Sequence, residues 1–336
     1  MKLLIVTQKA DSSDPILGFF HQWITAFASR IEHLTIIAQY AGKVSLPENV
    51  TVKSLGKEHG APIWRQILRF WWIAWRERFQ YDRVLVHMTP VWVILGWPMW
   101  FLLRKRVFLW YEIRRGSWRL NLALLFVRKV FSATVQGLPR PHRKQIVTGH
   151  GIDVDIFSPD PACHETGLIV AVGRITRSKR YDVLLRAFVL LPQHCRLQIA
   201  GGMVTQADEE EWDALQSLMQ KLNISGRVAV QWVEPAQMPD LLRRAELMLH
   251  ACVGGLDKAV LEAMACGCPV VSSSVAAQDV LPQLCRATPE SIGEVAQKIL
   301  SLSSTERIAL SEESRRRVLE GHSLPKLIER LVKEMA

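Results

Sequence analysis

The chain has 336 residues, a formal net charge of +10 and an apolar fraction of 49%. That much apolar material excludes a disordered or fibrous chain, and the length, about twice that of a common single domain, predicts two domains with separate cores. The first apolar run is too short for a secretory leader, so a cytoplasmic protein with reduced thiols at Cys163, Cys195, Cys252, Cys266, Cys268 and Cys285 is expected.

In the first half, strand-length apolar runs at 3–6, 34–38, 83–87 and 107–111 alternate with helix-length segments, the pattern of βαβ units around a parallel sheet. Residues 1–150 hold 22 Lys and Arg against 8 Asp and Glu, a net of +14, whereas residues 151–336 hold 20 against 24, a net of −4. Ten of the 12 tryptophans also precede residue 150. A basic, Trp-rich half implies an anionic surface or substrate; no recognition motif accompanies it, so nucleic acid is not the expected partner. On a helical wheel, residues 63–79 place Trp64, Leu68, Trp71, Trp72, Trp75 and Phe79 on one face, with Arg65, Arg69 and Arg76 alongside. Such a stripe most often packs on the sheet, and its other use is an anionic membrane interface. Residues 91–103, interrupted only by Gly96 and Pro98, fall short of the roughly 20 apolar residues of a membrane span and read as a buried helix.

Pro139, Pro141, Gly149, Gly151 and Pro159 mark a junction, after which the alternation begins again. Strand runs are expected at 168–172, 197–200, 228–233, 247–250 and 269–272, with helices at 181–191, 209–222, 238–245 and 257–266 and terminal helices within 306–336. The fold class is therefore α/β, with two Rossmann-like, doubly wound domains facing a central cleft at the carboxyl ends of their strands.

Two segments of the second half carry chemistry. Gly173-Arg174-Ile175-Thr176-Arg177-Ser178-Lys179 follows an apolar run directly, so Arg174 and Lys179 sit on a turn and helix start where backbone dipoles and formal charges suit a diphosphate. Surface cations after a strand are otherwise merely solvated. In Leu261-Glu262-Ala263-Met264-Ala265-Cys266-Gly267-Cys268-Pro269, Glu262 is a lone acid among small apolar residues, and ligand hydroxyls are suitable donors to it. Cys266 and Cys268 are read as small buried residues, and no metal site is expected.

These segments resemble the family 4 (group 1) glycosyltransferases, retaining enzymes of the GT-B fold. Gly149-His150-Gly151-Ile152-Asp153 with Phe157 and Pro159 is similar to the family's junction motif. Val172-Gly173-Arg174 with Lys179, Asp182, Leu184, Leu185 and Ala187 is similar to its phosphate segment, and 261–271 to its "LEAMACG.PVV" segment. The resemblance implies residues 1–148 as acceptor domain, 149–310 as nucleotide-sugar domain, and final helices, 311–336, that cross back. It implies that Arg174 and Lys179 hold the donor diphosphate and stabilise the leaving group, that Glu262 takes the ribose hydroxyls, and that Gly18 admits the donor phosphates. No cofactor is implied beyond the donor substrate, a nucleotide diphosphate sugar.

Two departures stand out. The first of the family's two acids, seven residues before the second, falls on Gly254; Gly255 follows, and Asp257 either substitutes for it or caps the next helix, the cap being the expectation. The family's N-domain histidine has no counterpart after residues 107–111, which leaves His87 and Glu112 as acceptor-side candidates. The resemblance implies hexosyl transfer with retention to a hydroxyl acceptor; the basic, Trp-rich first half and the 63–79 stripe add the expectation of a lipid-linked or envelope glycan at an anionic membrane surface on the cytoplasmic side. The alternatives are a degenerate nucleotide-binding partner or scaffold and a GT-B-type epimerase.

Overall fold

The apolar runs of the first half become an all-parallel sheet, and the chain returns to it at its end. A computed structural model describes residues 1–14, 17–114 and 116–336, and the chain divides into two units, Met1–Gly151 with Leu324–Ala336, and Ile152–Ser323.

Unit 1 runs β1 (Lys2–Ala10), α1 (Phe19–Ala28), β2 (His33–Ala41), β3 (Val50–Ser54), α2 (Ile63–Arg76), β4 (Arg83–His87), α3 (Pro90–Leu102), β5 (Arg106–Trp110), α4 (Trp118–Phe126), β6 (Lys129–Ser132) and β7 (Gln145–Val147). Among the described residues the strands pair in the order β3-β2-β1-β4-β5-β6-β7. The chain winds outward from β1 to β3, then starts again beside β1 with β4, the switch of a doubly wound sheet. Successive strand residues point to opposite faces, which supplies two apolar layers. On one face Leu4, Val6, Val84, Val86 and Leu109 meet Phe70, Trp92, Trp100 and Leu120 from α2, α3 and α4. On the other, Leu3, Ile5, Leu34, Ile36 and Phe108 meet Phe20, Trp23 and Phe27 of α1.

Helix α2 shows what the sequence left open. Gln66, Phe70, Ile73 and Ala74 face inward. Trp64, Trp71, Trp72 and Trp75 are 46–59% exposed, and Phe79 beyond the helix end is 74% exposed, so the aromatic stripe does not pack on the sheet. Arg76 lies 5.0 Å from the Trp72 ring, and Arg78 lies 4.6 Å and 4.3 Å from the rings of Trp75 and Phe79, contacts that keep each cation at the aromatic face.

Unit 2 runs β8 (Leu168–Val172), α5 (Tyr181–Val189), β9 (Arg196–Ala200), α6 (Gln206–Lys221), β10 (Val228–Gln231), α7 (Met238–Arg244), β11 (Leu247–His250), α8 (Lys258–Ala265), β12 (Val270–Ser272), α9 (Ile292–Leu300) and α10 (Ser304–Gly321). Its strands are parallel in the order β10-β9-β8-β11-β12. Residues 311–321 thus remain in unit 2, and α11 (Leu324–Met335) alone among the terminal helices joins unit 1. There Leu324, Leu327, Ile328 and Leu331 pack on the α1 layer. Arg83 Nε donates to the Met335 carbonyl at 2.8 Å and Arg106 Nη1 to that of Ala336 at 2.7 Å, which satisfies carbonyls at the helix end.

No helix of the described residues is long and apolar enough to cross a membrane. Helix α3, although apolar all round, contributes Trp92, Val93, Gly96 and Trp100 to burial. A Cβ on Gly96 would stand 2.4 Å from the Trp100 ring, so the glycine is what lets that indole lie against the helix.

Candidate functional site

Strand β8, in the middle of its sheet, runs into Gly173, whose φ of +134° is open only to glycine, and the chain turns there at the carboxyl end of the strand. A Cβ on Gly201, at the end of β9, would lie 1.9 Å from the Gly173 carbonyl oxygen. Two glycines on adjacent strand ends thus permit a backbone approach that other residues forbid. Tyr181, at the start of α5, donates its hydroxyl to the same carbonyl at 2.6 Å and anchors the loop.

Arg174 and Lys179 stand at the two ends of this loop, each matched with a carboxylate. Arg174 is largely exposed; its Nε lies 3.3 Å from Asp208 Oδ2, and that oxygen also accepts the backbone N–H groups of Val204 and Thr205 at the start of α6. Lys179 is half-buried with its ammonium on Asp257 Oδ2. Burial works against the Lys179 ammonium, but the Asp257 carboxylate outweighs it and holds the pKa above its ordinary value. For Asp257, burial acts upward, and Lys179 followed by His250 overcome it, leaving the carboxyl far below its usual range.

The second loop of the site, residues 251–257, joins β11 to α8. Val253 N donates to Ser178 O at 2.9 Å, tying it to the first loop. His250, at the end of β11, is buried, with Nδ1 2.8 Å from Ser272 Oγ and Nε2 3.3 Å from Asp257 Oδ2. Asp257 occupies the cap position of α8, but its side chain makes no capping bond. The expected cap is therefore corrected: a partly desolvated carboxylate gains more from an ammonium than from backbone N–H groups. Gly254 and Gly255 lie within this loop. A Cβ on Gly254 would meet nothing nearer than Cys252 Sγ at 3.5 Å, so the site has room for a side chain there.

Glu262, on α8, points a largely buried carboxyl toward Lys258 one turn earlier, Oε1 to Nζ 3.5 Å. Burial pushes the Glu262 pKa up and the Lys258 pKa down, and the pair only partly offsets this. The partner that the sequence required for this acid is thus a lysine of its own helix. Cys266 and Cys268 are buried, and burial pushes the Cys266 thiol up to about 12, consistent with packing residues. By contrast His250, Cys252 and Asp257 place a ring nitrogen, a sulfur and a carboxylate oxygen within 4.8 Å of one another. Sequence reasoning took His250 only as the end of a strand and Cys252 only as a reduced thiol, although one residue separates them; Asp257, which completes the group, comes to them through the loop.

The three remaining candidates lie in unit 1. Gly18 opens α1, and a Cβ there would stand 2.5 Å from the Asp14 carbonyl oxygen, which accepts the Gly18 N–H at 2.9 Å, so the local turn alone demands a glycine. His87 is 2% exposed and stacks on Phe20 at 4.3 Å, with Nδ1 3.3 Å from Thr7 Oγ1 and no hydrogen-bond partner for Nε2 among the described residues. Burial first, then nearby His150, push its pKa down to about 3. Glu112 accepts Ala133 N at 2.6 Å and Thr134 Oγ1 at 3.1 Å, which commits both oxygens to the chain after β6.

Comparison with known proteins bears on both units. Residues 166–305 match the family model "Glycosyl transferases group 1". The D-inositol 3-phosphate glycosyltransferase of Mycolicibacterium smegmatis is 34% identical over 166 residues, 45% of this chain and 37% of that protein, so the match spans little more than a third of the relative. Anabaena HepE, solved in complex with UDP, superposes with a TM-score of 0.77 at 15% identity over 99% of both chains. WaaG, a glycosyltransferase involved in lipopolysaccharide biosynthesis, superposes with a TM-score of 0.67 at 16% identity, also over 99% of both. At such identities the likeness establishes the fold.

Proposed function

From the match of residues 166–305 to the group 1 glycosyltransferase model, within a GT-B fold of two Rossmann-like units, we propose that this chain transfers a hexosyl unit from a nucleotide diphosphate sugar to a hydroxyl acceptor, with retention. The observation that carries the reading is the paired loop system of unit 2, where Arg174 and Lys179 flank one turn and each is held by a carboxylate. A departing nucleotide diphosphate gains charge as the glycosidic bond breaks. Two fixed cations stabilise that charge without a metal. Diphosphate oxygens share or replace Asp208 and Asp257 as acceptors, so the ion pairs keep the cations placed before the donor arrives.

Glu262 then takes the ribose hydroxyls, and loop 251–257, with Gly254, Gly255 and Asp257, faces the sugar. Retention by a front-face route asks for no protein nucleophile, because the leaving phosphate accepts the acceptor proton. Anabaena HepE was solved with UDP-glucose as well as UDP, which makes UDP-glucose the first donor to try. Nucleotide-sugars screened by calorimetry, with hydrolysis of the best ligand followed in EDTA, test the reading. Slow turnover that persists under chelation is the expected result. Tight nucleotide binding without turnover against any envelope acceptor returns the protein to the scaffold alternative.

The acceptor belongs to a lipid-linked or envelope glycan, reached from the cytoplasmic face of the membrane. The support is α2, whose Trp64, Leu68, Trp71, Trp72 and Trp75 are exposed with arginines at their rings. Indole at the headgroup level and arginine at anionic lipid are the two halves of interfacial binding, each basic residue contributing about 1 kcal/mol near the surface. Sedimentation with anionic vesicles at low salt and release at high salt are expected. Equal binding to neutral vesicles removes the electrostatic part.

A further inference from the structure

We propose that His250, Cys252 and Asp257 form a binding site for a zinc-class divalent cation, set against Lys179. The three side chains offer an imidazole nitrogen, a sulfur and a carboxylate oxygen, the donor types zinc accepts, within 4.8 Å of one another. In a tetrahedral zinc site these atoms stand about 3 to 4 Å apart, as bonds of roughly 2.0 to 2.3 Å require. Closing from 4.8 Å to that range asks for at most about 1 to 2 Å, shared between the side chains. Cys252 and Asp257 sit at the two ends of a loop whose middle holds Gly254 and Gly255, with open space beside Gly254.

The ligand that must not move is fixed. His250 ends β11, is buried, and has Nδ1 held at 2.8 Å by Ser272 Oγ on the neighbouring strand, which in turn accepts the Ser274 N–H at 3.0 Å. That contact orients the ring so that Nε2 faces Asp257 at 3.3 Å. Orientation of a ligating imidazole through its other nitrogen is the usual second layer of a zinc site. The three protein ligands leave a fourth position for water.

Occupancy changes the charge of the loop system. Whichever of Cys252 and His250 holds the proton they share, those two carry no net charge together, and the Asp257 carboxylate and the Lys179 ammonium cancel. The cation binds Cys252 as thiolate, with its proton released to solvent, and takes Asp257 as ligand; the cluster passes from neutral to one positive charge, and Lys179 loses its counter-ion. A diphosphate nearby is then bound more tightly. This coupling rests on the donor role proposed above for Lys179, whereas the cation site itself does not.

The test uses the full chain, stripped with EDTA and titrated with Co²⁺ as an optical stand-in for zinc. One equivalent is expected to raise a thiolate-to-cobalt charge-transfer band in the near ultraviolet, which Zn²⁺ then abolishes. Cys252→Ala and the near-isosteric Cys252→Ser should both lose the band while binding UDP as the metal-free parent does. In calorimetry, saturating Zn²⁺ should tighten UDP binding by the parent about tenfold and leave both variants unchanged. No band in the parent, or an undiminished band in the variants, overturns the site. A band together with UDP binding that ignores zinc overturns the coupling. A band in a protein that binds no UDP at all keeps the site and removes the donor reading instead.

Discussion

The two units place ionisable side chains at the ends of parallel strands in opposite ways. In unit 1, His87 is closed in among aromatic rings at the end of β4, and Glu112, just beyond β5, accepts a backbone N–H and a hydroxyl. In unit 2, the loops after β8 and β11 bring Lys179 and His250 onto Asp257, with Arg174 on Asp208. The first arrangement buries its groups among neutral partners. The second pairs charge with charge, and such pairs can be taken over by an incoming anion. Position at a strand end is therefore not enough to make a group functional; what its polar atoms are already bound to decides.

The largest test of that contrast is acid. His87 is held neutral with a pKa of about 3, against about 6.5 in the unfolded chain, so between these values the unfolded state binds the extra proton. Its contribution to stability is complete above about pH 6.5 and declines by about 1.4 kcal/mol per pH unit toward pH 3, some 4 to 5 kcal/mol in all. Urea melts read by tryptophan fluorescence should show this, and His87→Phe should flatten the acid branch. Parallel pH profiles for parent and variant would place His87 among groups open to solvent.

Next comes Lys179→Met, which leaves the Asp257 carboxylate partly buried without its ammonium. A stability loss of about 3 kcal/mol is expected, together with nucleotide binding weaker by about 1.5 to 3 kcal/mol. Adding Asp257→Asn should recover stability and not binding; recovery of both would make the pair purely structural. Arg174→Ala should separate the two effects, since Arg174 is exposed and the buried Asp208 keeps the N–H groups of Val204 and Thr205 as donors without it. Calorimetry is expected to show a binding loss of about 1.5 to 3 kcal/mol, with stability within about 0.5 kcal/mol of the parent. Unchanged affinity in both the Lys179 and Arg174 variants would leave the diphosphate clamp without support.

Smaller effects probe the surfaces. Replacing Trp72 and Trp75 by Ser should lower vesicle binding several-fold and alter the melting temperature little, because both rings are more than half exposed. A clear drop in melting temperature would mean that α2 needs these rings for its own packing. Gly254→Glu should be the mildest, changing stability by less than about 0.5 kcal/mol, since the nearest atom to its Cβ is at ordinary contact distance. A large loss would show that the loop cannot hold the acid that the family places there.

The two parallel sheets were legible because strands buried on both faces are written as apolar runs, as in 83–87 and 168–172. The short strands β6 and β7 were not, for each holds only two apolar residues, and the helix α4 was not, because seven of its nine residues are apolar and mark no face. The aromatic stripe of α2 could not be assigned a side, since amphipathic spacing is the same whether the stripe meets a sheet or solvent. Arg174, Lys179 and Glu262 could be singled out locally, but Asp257 was misread as a cap. Its partner Lys179 lies 78 residues away, and one sequence pattern serves both uses.

One further consequence follows from the placement of α11. Unit 2 is an insertion within unit 1, whose α1 layer of Phe20, Trp23 and Phe27 is covered in part by Leu324, Leu327 and Leu331. During synthesis on the ribosome that part of the layer stays open until residues 324–335 emerge, after every strand of the inserted unit has been made. Unit 1, begun first, is thus completed after unit 2, and a nascent chain carries an uncovered apolar patch while the whole inserted unit is made, which is when chaperones would meet it.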